Sequence, residues 1–413
     1  MQNIIIAKPY QFVPAHRGNW IPGMVQSLRI VDLYLARKEG IASYEVRGIE
    51  HLRESLRQRH GVLLAPNHCR YSDPLALGWV ARHAETHLFA MASWHLFHQS
   101  RFQSFAMRMC GAFSVYREGV DRQSLDTAID ILVQAVRPLV VFPEGAVFRT
   151  NDVLQPLLDG VAFLARSAAR RRSKLDGGKT VIHPVGIKYV FRGDVVPRLI
   201  PVIEQMESRL TWQSTTDRLD SDGSPGGILR RVERLDEALL SLKEIQFLGK
   251  AQPGEMGLRR RQLINHLLES VEACWLGSAQ RGELIPRIKQ LRMKLVPQLL
   301  APGSSPSQLS QIWSELEKLY VAQQVGSYPT GYLDELTDMR LLETIERIEE
   351  DITDRTTVHR PLHAILQVDE AIEIDPEKPA RDAPDPVMAT LQNRIETLLG
   401  QLKQEARPLS IAR

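Results

Sequence analysis

Residues 61–73 read GVLLAPNHCRYSD, and this stretch decides the fold. The charged run LRESLRQRH stops at His60, and the short apolar run after it predicts a buried strand over 61–67. Residues 74–83, PLALGWVARH, then read as a helix, with Pro74 at its first position and Asp73 as its N-cap. A strand that hands over to a helix within a few residues is the building unit of an α/β sheet.

The same alternation continues on both sides. ASYEVRGIE (42–50) reads as a strand and turn, LVVFPEG (139–145) as a short buried strand with a turn signal, and TVIHPVGIKYV (180–190) as another strand. DTAIDILVQAV (126–136) and DGVAFLARSAARRR (159–172) lie between them with helical periodicity. Residues 21–38 read as one amphipathic N-terminal helix, with Met24, Leu28, Val31 and Leu35 on its apolar face. Past about residue 200 the texture becomes wholly helical. Leu229, Val232, Leu235, Leu239 and Leu242 keep helical spacing, as do Leu309, Ile312, Leu316 and Leu319, and then Leu342, Ile345, Ile348 and Ile352. TTDRLDSDGSPGG (215–227) and APGSSPS (301–307) read as loops, and no repeat of fixed period is evident. LHAILQVDEAIEID (362–375) returns to strand texture, with PEKP (376–379) as a stop, and 384–404 reads as a final helix. A strand that rejoins the first sheet is more economical than an isolated strand pair at the end of a helical domain. The expected organisation is therefore an α/β domain over 1–205, a helical insertion over 206–358, and a closing strand and terminal helix over 359–413.

Composition narrows the function. The 413 residues are 43% hydrophobic and 24% charged, ordinary globular usage, and the net charge of +3 gives no ground for nucleic-acid binding. Cys69, Cys110 and Cys274 are too far apart for a metal knuckle or a disulfide framework, which fits a reducing compartment. No run of about 18 apolar residues is present, and Ile4–Ile6 is too short for a signal sequence. The expectation is a cytoplasmic protein. No metal site is expected: His83, His87, His95 and His98 lack partner carboxylates at ligand spacing.

His68 and Asp73 carry the chemistry. Across a strand–loop–helix turn the two can converge, and an imidazole held on one nitrogen by a carboxylate can act as a general base through the other. Cys69 is adjacent to His68 in the chain, a geometry that does not build a Cys–His nucleophile.

Four blocks occur in order: NHCRYSD (67–73), GAFSVYREG (111–119), VFPEGAVFR (141–149) and VIHPVGIKY (181–189). Together they resemble the lysophospholipid acyltransferase family, whose bacterial type member makes phosphatidic acid from 1-acylglycerol-3-phosphate. The resemblance covers roughly residues 42–190 and is weaker over 361–404. It implies a glycerolipid-acyltransferase-type mixed sheet flanked by helices. His68 would be the base that deprotonates the acceptor hydroxyl, with Asp73 orienting it. Arg117 would hold the acceptor phosphate, and Glu144 and Gly145 would line the acceptor side of the cleft. A backbone N–H near Gly145 is a candidate donor to the tetrahedral oxyanion.

Two departures bear on the acceptor. The family's third block usually continues Thr-Arg-Ser after Glu-Gly, whereas here Ala146-Val147-Phe148-Arg149 displaces the arginine by two places. Where the family often has Lys-Gly, this chain has Asp159-Gly160. Arg149 is the candidate to reach the phosphate from its new position; the alternative is an acceptor lacking a terminal phosphate.

The implied co-substrate is acyl-coenzyme A or acyl-acyl carrier protein, with no bound cofactor. Other expected partners are a lysophospholipid and the inner membrane surface, with peripheral attachment. Arg166, Arg170, Arg171, Arg172 and Lys174 form a basic run that suits either a solvated helix end or anionic phosphates. The helical insertion suits a protein partner or self-association. A catalytically silent membrane adaptor and a thioester hydrolase are the competing functions, and the intact His68, Asp73, Arg117, Glu144 and Gly145 argue against the adaptor. His183, before Pro184 on a strand, reads as structural.

Overall fold

A computed structural model describes residues 5–175, 178–209, 224–301, 303–377 and 385–410. The chain divides into two compact units. One comprises residues 9–190 and 360–405 and carries the sheet; the other comprises 191–359 with the described parts of 1–8 and 406–413.

In the sheet unit the elements run α1 (Trp20–Ser27), α2 (Ile30–Lys38), β1 (Ile41–Arg47), α3 (Ile49–Arg57), β2 (Gly61–Pro66), α4 (Asp73–His83) and β3 (Phe89–Ser93). A short 3₁₀ turn at Trp94–His98 leads to α5 (Arg101–Met109), β4 (Ala112–Val115), α6 (Arg122–Gln134), β5 (Leu139–Val140), α7 (Gly160–Arg172) and β6 (Thr180–Phe191). The helical unit contributes α8 (Val196–Arg209), α9 (Pro225–Leu248), α10 (Met256–Leu276), α11 (Leu284–Leu299), α12 (Pro306–Gly326) and α13 (Asp338–Thr353). The sheet unit then closes with β7 (Leu362–Val368), β8 (Ile372–Glu373) and α14 (Pro386–Leu402).

The eight strands form one sheet in the order β1-β7-β6-β2-β5-β3-β4, with β8 beside β6. β2 runs parallel to both β5 and β6, β3 to β4 and β5, and β1 to β7, whereas β8 is antiparallel to β6. The sheet is therefore mixed, with helices packed against it. β2 and β6 are buried at every position, which is why β2 reads as an apolar run and β6 as a mostly apolar one, broken by Thr180, His183 and Lys188. Leu63, Phe113, Leu132, Leu139, Ile182 and Leu391 belong to one core that joins strands to α6 and α14.

The structure corrects several expectations in detail. The helix expected over 21–38 is two helices, because Arg29 takes a left-handed φ of 51° and turns the chain between them. The strand and turn expected over 139–145 are a two-residue strand, Leu139–Val140, and a turn closed by Gly145 N–H on the Phe142 carbonyl. The strand expected over 362–375 is two strands. Ser224 and Ser305, placed in loops, are N-caps that accept the N–H of Gly227 and Gln308, each followed by a helix-opening proline. The rest of the expected 215–227 loop, up to Gly223, lies outside the described residues, as do Lys378 and Pro379 of the expected stop and Pro384 at the expected start of the last helix. The helical unit begins at 191 and ends at 359, against the expected 206 and 358, and takes in residues past 405. There Asp338 N–H bonds to the Arg407 carbonyl and Leu409 N–H to the Leu336 carbonyl, each at 3.0 Å.

The helical unit also has a fixed-period repeat, contrary to the sequence reading. Glu244, Gly249, Gln252, Gly254, Glu255 and Arg259 recur 28 positions later as Glu272, Gly277, Gln280, Gly282, Glu283 and Arg287. The two copies make the same joint. Arg259 grips both carboxylate oxygens of Glu244 at 3.1 and 2.8 Å, and Glu244 accepts the Gln252 N–H at 2.8 Å. Arg287 grips Glu272 at 2.8 and 3.0 Å, and Glu272 accepts the Gln280 N–H at 2.9 Å. Gly249 and Gly277 end the preceding helices at φ 81° and 82°, a conformation that glycine adopts without the Cβ clash. Arg231, 28 positions before Arg259, makes the same two-pronged contact with Glu207 of α8 at 2.8 and 2.6 Å. Buried leucines, among them Leu267, Leu291, Leu295, Leu316 and Leu319, form this unit's core.

Candidate active site

β2 ends at Pro66, but its pairing with β6 continues through a side chain. Asn67 donates from Nδ2 to the Ile187 carbonyl at 3.0 Å and accepts the Ile187 N–H at 2.7 Å, so a side-chain amide replaces one more rung of the ladder. This anchor releases the backbone at His68 while holding the turn against the sheet. The chain then bends into α4, and Asp73 comes back to face His68.

His68 Nδ1 and Asp73 Oδ2 are 2.9 Å apart; the His68 side chain is 14% exposed and that of Asp73 is 0% exposed. Ser72 takes the N-cap place of α4, so Asp73 is the first helical residue rather than the expected cap. That position frees its carboxylate for other partners. Oδ2 also accepts the Arg70 N–H at 2.8 Å, and Oδ1 accepts the Tyr189 hydroxyl at 2.8 Å. The helix N-terminus itself favours the anion. The imidazole stacks on Phe142, with centroids 3.9 Å apart and planes 22° from parallel. With Nδ1 committed to Asp73, Nε2 is the nitrogen left to handle a proton. Cys69 Sγ lies 3.8 Å from Asp73 Oδ1 and is buried, in keeping with a packing role.

Glu144 is brought to His68, but by its backbone. One carboxylate oxygen accepts the His68 N–H at 2.6 Å and the other the Gln155 N–H at 2.9 Å. Burial pushes this carboxyl up to about 8; the two N–H bonds pull it back and the nearby Asp73 charge adds to the rise. Its oxygens thus hold the His68 loop. Gly145 has φ 71°, and a side chain there would strike Leu158 Cδ1 at 2.5 Å, so glycine suits the position twice over. The Gly145 N–H itself is used within its own turn, on the Phe142 carbonyl.

Arg117 donates to the Gly145 carbonyl, which seats its guanidinium on the Phe-Pro-Glu-Gly turn, and burial lowers its pKa from the usual arginine value. Its loop is fixed by Asp121, which caps α6 through the Ser124 N–H at 3.0 Å and accepts the Tyr116 N–H at 2.9 Å. The Glu118 carboxylate next in the chain acts against the lowering of the Arg117 pKa. Arg149 is nine-tenths buried with its guanidinium over the Tyr71 ring, 5.1 Å from the centroid, in a left-handed backbone conformation of φ 49°. The segment after it is locked to β6: Asn151 exchanges two hydrogen bonds of 3.1 Å with the Tyr189 backbone, and Asp152 pairs with Lys188 in a fully buried ion pair.

The basic run on α7 is mostly spoken for. Arg166 binds Asp385 at 2.6 Å and the carbonyls of Asp375 and Glu377. Arg170 reaches the Pro376 carbonyl, Arg171 reaches Asp130, and Arg172 caps the carbonyls of Arg59, Val133 and Gly178. Only Lys174 is exposed without such a partner among the described residues. Arg166 and Arg172 are buried and cross-link the sheet unit, whereas Arg170, Arg171 and Lys174 are exposed at the helix end. His183 is enclosed between the Ser55 hydroxyl at 2.9 Å and the Asp369 carbonyl at 2.7 Å, a structural position.

The sequence reading missed Tyr189 and Asn151, and the tasks of Asn67 and Glu144. Tyr189 sits on β6 two residues beyond Ile187, among hydrophobic neighbours, where nothing in composition separates it from the core.

At the end of β2 the sheet thus presents a histidine clamped by a buried aspartate five residues on, and an arginine is seated on the Phe-Pro-Glu-Gly turn. The family model described as Acyltransferase matches residues 43–188. Among curated proteins, the 1-acyl-sn-glycerol-3-phosphate acyltransferase of Streptococcus pneumoniae (strain ATCC BAA-255 / R6) is 31% identical over 110 residues, which is 27% of this chain and 38% of that protein. The chain thus aligns with well under half of that relative's length.

Proposed function

We propose that the protein moves a fatty acyl group from a thioester donor, acyl-coenzyme A or acyl-acyl carrier protein, to the hydroxyl of a lysophospholipid, with 1-acylglycerol-3-phosphate as the acceptor. The observation that carries this reading is the His68–Asp73 contact at 2.9 Å. In the reaction His68 Nε2 takes the hydroxyl proton as the acceptor oxygen attacks the thioester carbonyl. The carbon–sulfur bond then breaks, and the imidazolium returns the proton to the departing thiolate, so an ester and a free thiol leave. No protein nucleophile is needed.

Arg117 supports the phosphate acceptor: its half-buried guanidinium sits on the Phe-Pro-Glu-Gly turn and can bind a phosphate bidentately. Attachment to the inner face of the membrane is part of the same reading. Among the described residues no helix is long and apolar enough to cross a membrane. α1 and α2 nevertheless present Trp20, Leu28, Ile30 and Leu33 to solvent, with Trp20 77% and Leu28 66% exposed. Because the α7 arginines are engaged, attachment in this reading is chiefly apolar, and flotation with liposomes should change little with salt.

The deciding experiment supplies purified protein with acyl-coenzyme A and either lysophosphatidate or monoacylglycerol, and follows free thiol and acylated product together. Thiol release matched by phosphatidate supports the proposal. Thiol release without acylated product indicates a hydrolase, and equal rates with both acceptors remove the phosphate from the assignment.

A further inference from the structure

Asp73 is 0% exposed, and its two oxygens are treated differently. Oδ2 serves His68 and the Arg70 N–H, whereas the 2.8 Å contact at Oδ1 comes from the Tyr189 hydroxyl. Tyr189 is itself fully buried, its ring lies beneath the Arg70 guanidinium with 5.4 Å to the centroid, and its backbone is gripped on both polar atoms by Asn151. A buried phenol of this kind is not needed to fill the core, since phenylalanine would fill it without bringing in a polar atom.

We propose that Tyr189 is a positioning residue for the dyad: its hydroxyl, held in register by Asn151, draws charge from Oδ1 of Asp73 and so sets how strongly His68 holds a proton. This rests on the acyl-transfer reading above and deepens it. The direction of the effect follows from the chain of bonds. A donor on Oδ1 stabilises the carboxylate and thins the negative charge offered to His68 through Oδ2. Remove it, and both Asp73 and the imidazolium hold their protons more tightly. A base that must be neutral to act then works only at higher pH. The phenol is a reliable donor: burial, and after it the Asp73 charge, hold its pKa well above the ordinary tyrosine value.

The test titrates His68 directly, in full-length protein labelled in its histidine rings, with His68→Gln used to assign the signal. In Tyr189→Phe the His68 titration should move up by about one pH unit, and the acid limb of kcat/KM for thiol release should move with it. The KM for the acceptor should not change. A second variant carries 3-fluorotyrosine at 189, a stronger donor of nearly the same shape, and should move both readings down. Opposite shifts in the two variants establish the role. If Tyr189→Phe does not fold, the fluorotyrosine protein decides alone: a downward shift supports the proposal, and an unchanged titration overturns it. An unchanged titration in either folded variant makes Tyr189 a packing residue. If wild-type protein transfers no acyl group, the acyl-transfer reading falls, while the titration still decides whether Tyr189 governs His68.

Discussion

Glu144 accepts the backbone N–H of His68 at 2.6 Å, so the residue that fixes the histidine loop is itself a buried acid whose pKa is raised to about 8. Its ordinary value is 4.5, and the folded state therefore keeps the proton that the unfolded chain has lost between those pH values. Its contribution to stability is complete below about pH 4.5 and is lost as pH rises through 8. Relative to Glu144→Gln, which cannot titrate, wild-type protein should lose about 1.4 kcal/mol of stability per pH unit across that window. Urea unfolding of both proteins at several pH values measures the difference, and a constant gap would mean that Glu144 is ionised throughout.

His68→Ala should abolish acyl transfer and leave the fold intact, a loss of about 10² to 10⁴ in rate. Asp73→Asn should come close to it, because the amide can still accept the Arg70 N–H but brings no charge to His68. Circular dichroism paired with thiol release separates lost chemistry from lost structure. Full turnover by folded His68→Ala would remove the mechanism.

Arg117→Ala should raise the KM for lysophosphatidate. A charge-assisted contact is worth roughly 1.5–3 kcal/mol, or about one to two powers of ten in kcat/KM. Arg117→Lys should recover part of the loss through its charge alone. Arg149→Ala should have a smaller effect on KM, since the Arg149 guanidinium is already stacked on Tyr71. Steady-state kinetics on the three variants ranks the two arginines; equal effects would place Arg149 on the phosphate as well.

The duplicated joint of the helical unit offers an internal replicate. Arg259→Met leaves Glu244 fully buried without its ion pair, a class of change that costs about 3–5 kcal/mol. Glu244→Leu with Arg259→Met should cost far less, on the order of 1 kcal/mol for the stranded Gln252 N–H. Arg287→Met and the Glu272 double variant should follow the same pattern. Hydrogen exchange at the amides of Gln252 and Gln280 reads each joint separately. Single variants no worse than the doubles would show that the pairs contribute little.

The parts of this architecture visible in the sequence are those written in apolar residues. β2 and β6 are buried on both faces and stand out as runs, and the four motif blocks put His68, Asp73, Arg117 and Glu144 in one neighbourhood. α3 was hidden because only Leu52 and Ser55 of its nine residues are buried, so LRESLRQRH read as a charged spacer. β3 and β4 are five and four residues long, too short for alternation to show. The break at Arg29 lacks a glycine or proline to announce it. The 28-residue period escaped because it is carried by glutamate, glycine, glutamine and arginine at the joints, while the leucines around them obey ordinary helical spacing. In the site, a carboxylate that could line a cleft and one that binds backbone N–H groups have the same letter; only the geometry of Glu144 distinguishes them.

Among the described residues β1 has a single neighbour in the sheet, β7, and the pairing joins Ile41 to Leu362. During synthesis the first strand of the domain must wait for the seventh while about 320 residues are made, among them the whole helical unit. At about 5–20 residues per second the ribosome needs roughly 15 to 60 s to supply it. Over that interval the edge of β6 that β7 will occupy is open on the nascent chain, and β1 has no partner strand. The His68 loop after β2 can thus form early on its β5–β2–β6 base, while the other side of the sheet remains in need of protection from wrong pairing until β7 emerges. A deletion that shortens the helical unit would be expected to hasten completion of the sheet, and one that truncates the chain before residue 362 would leave β1 unmatched.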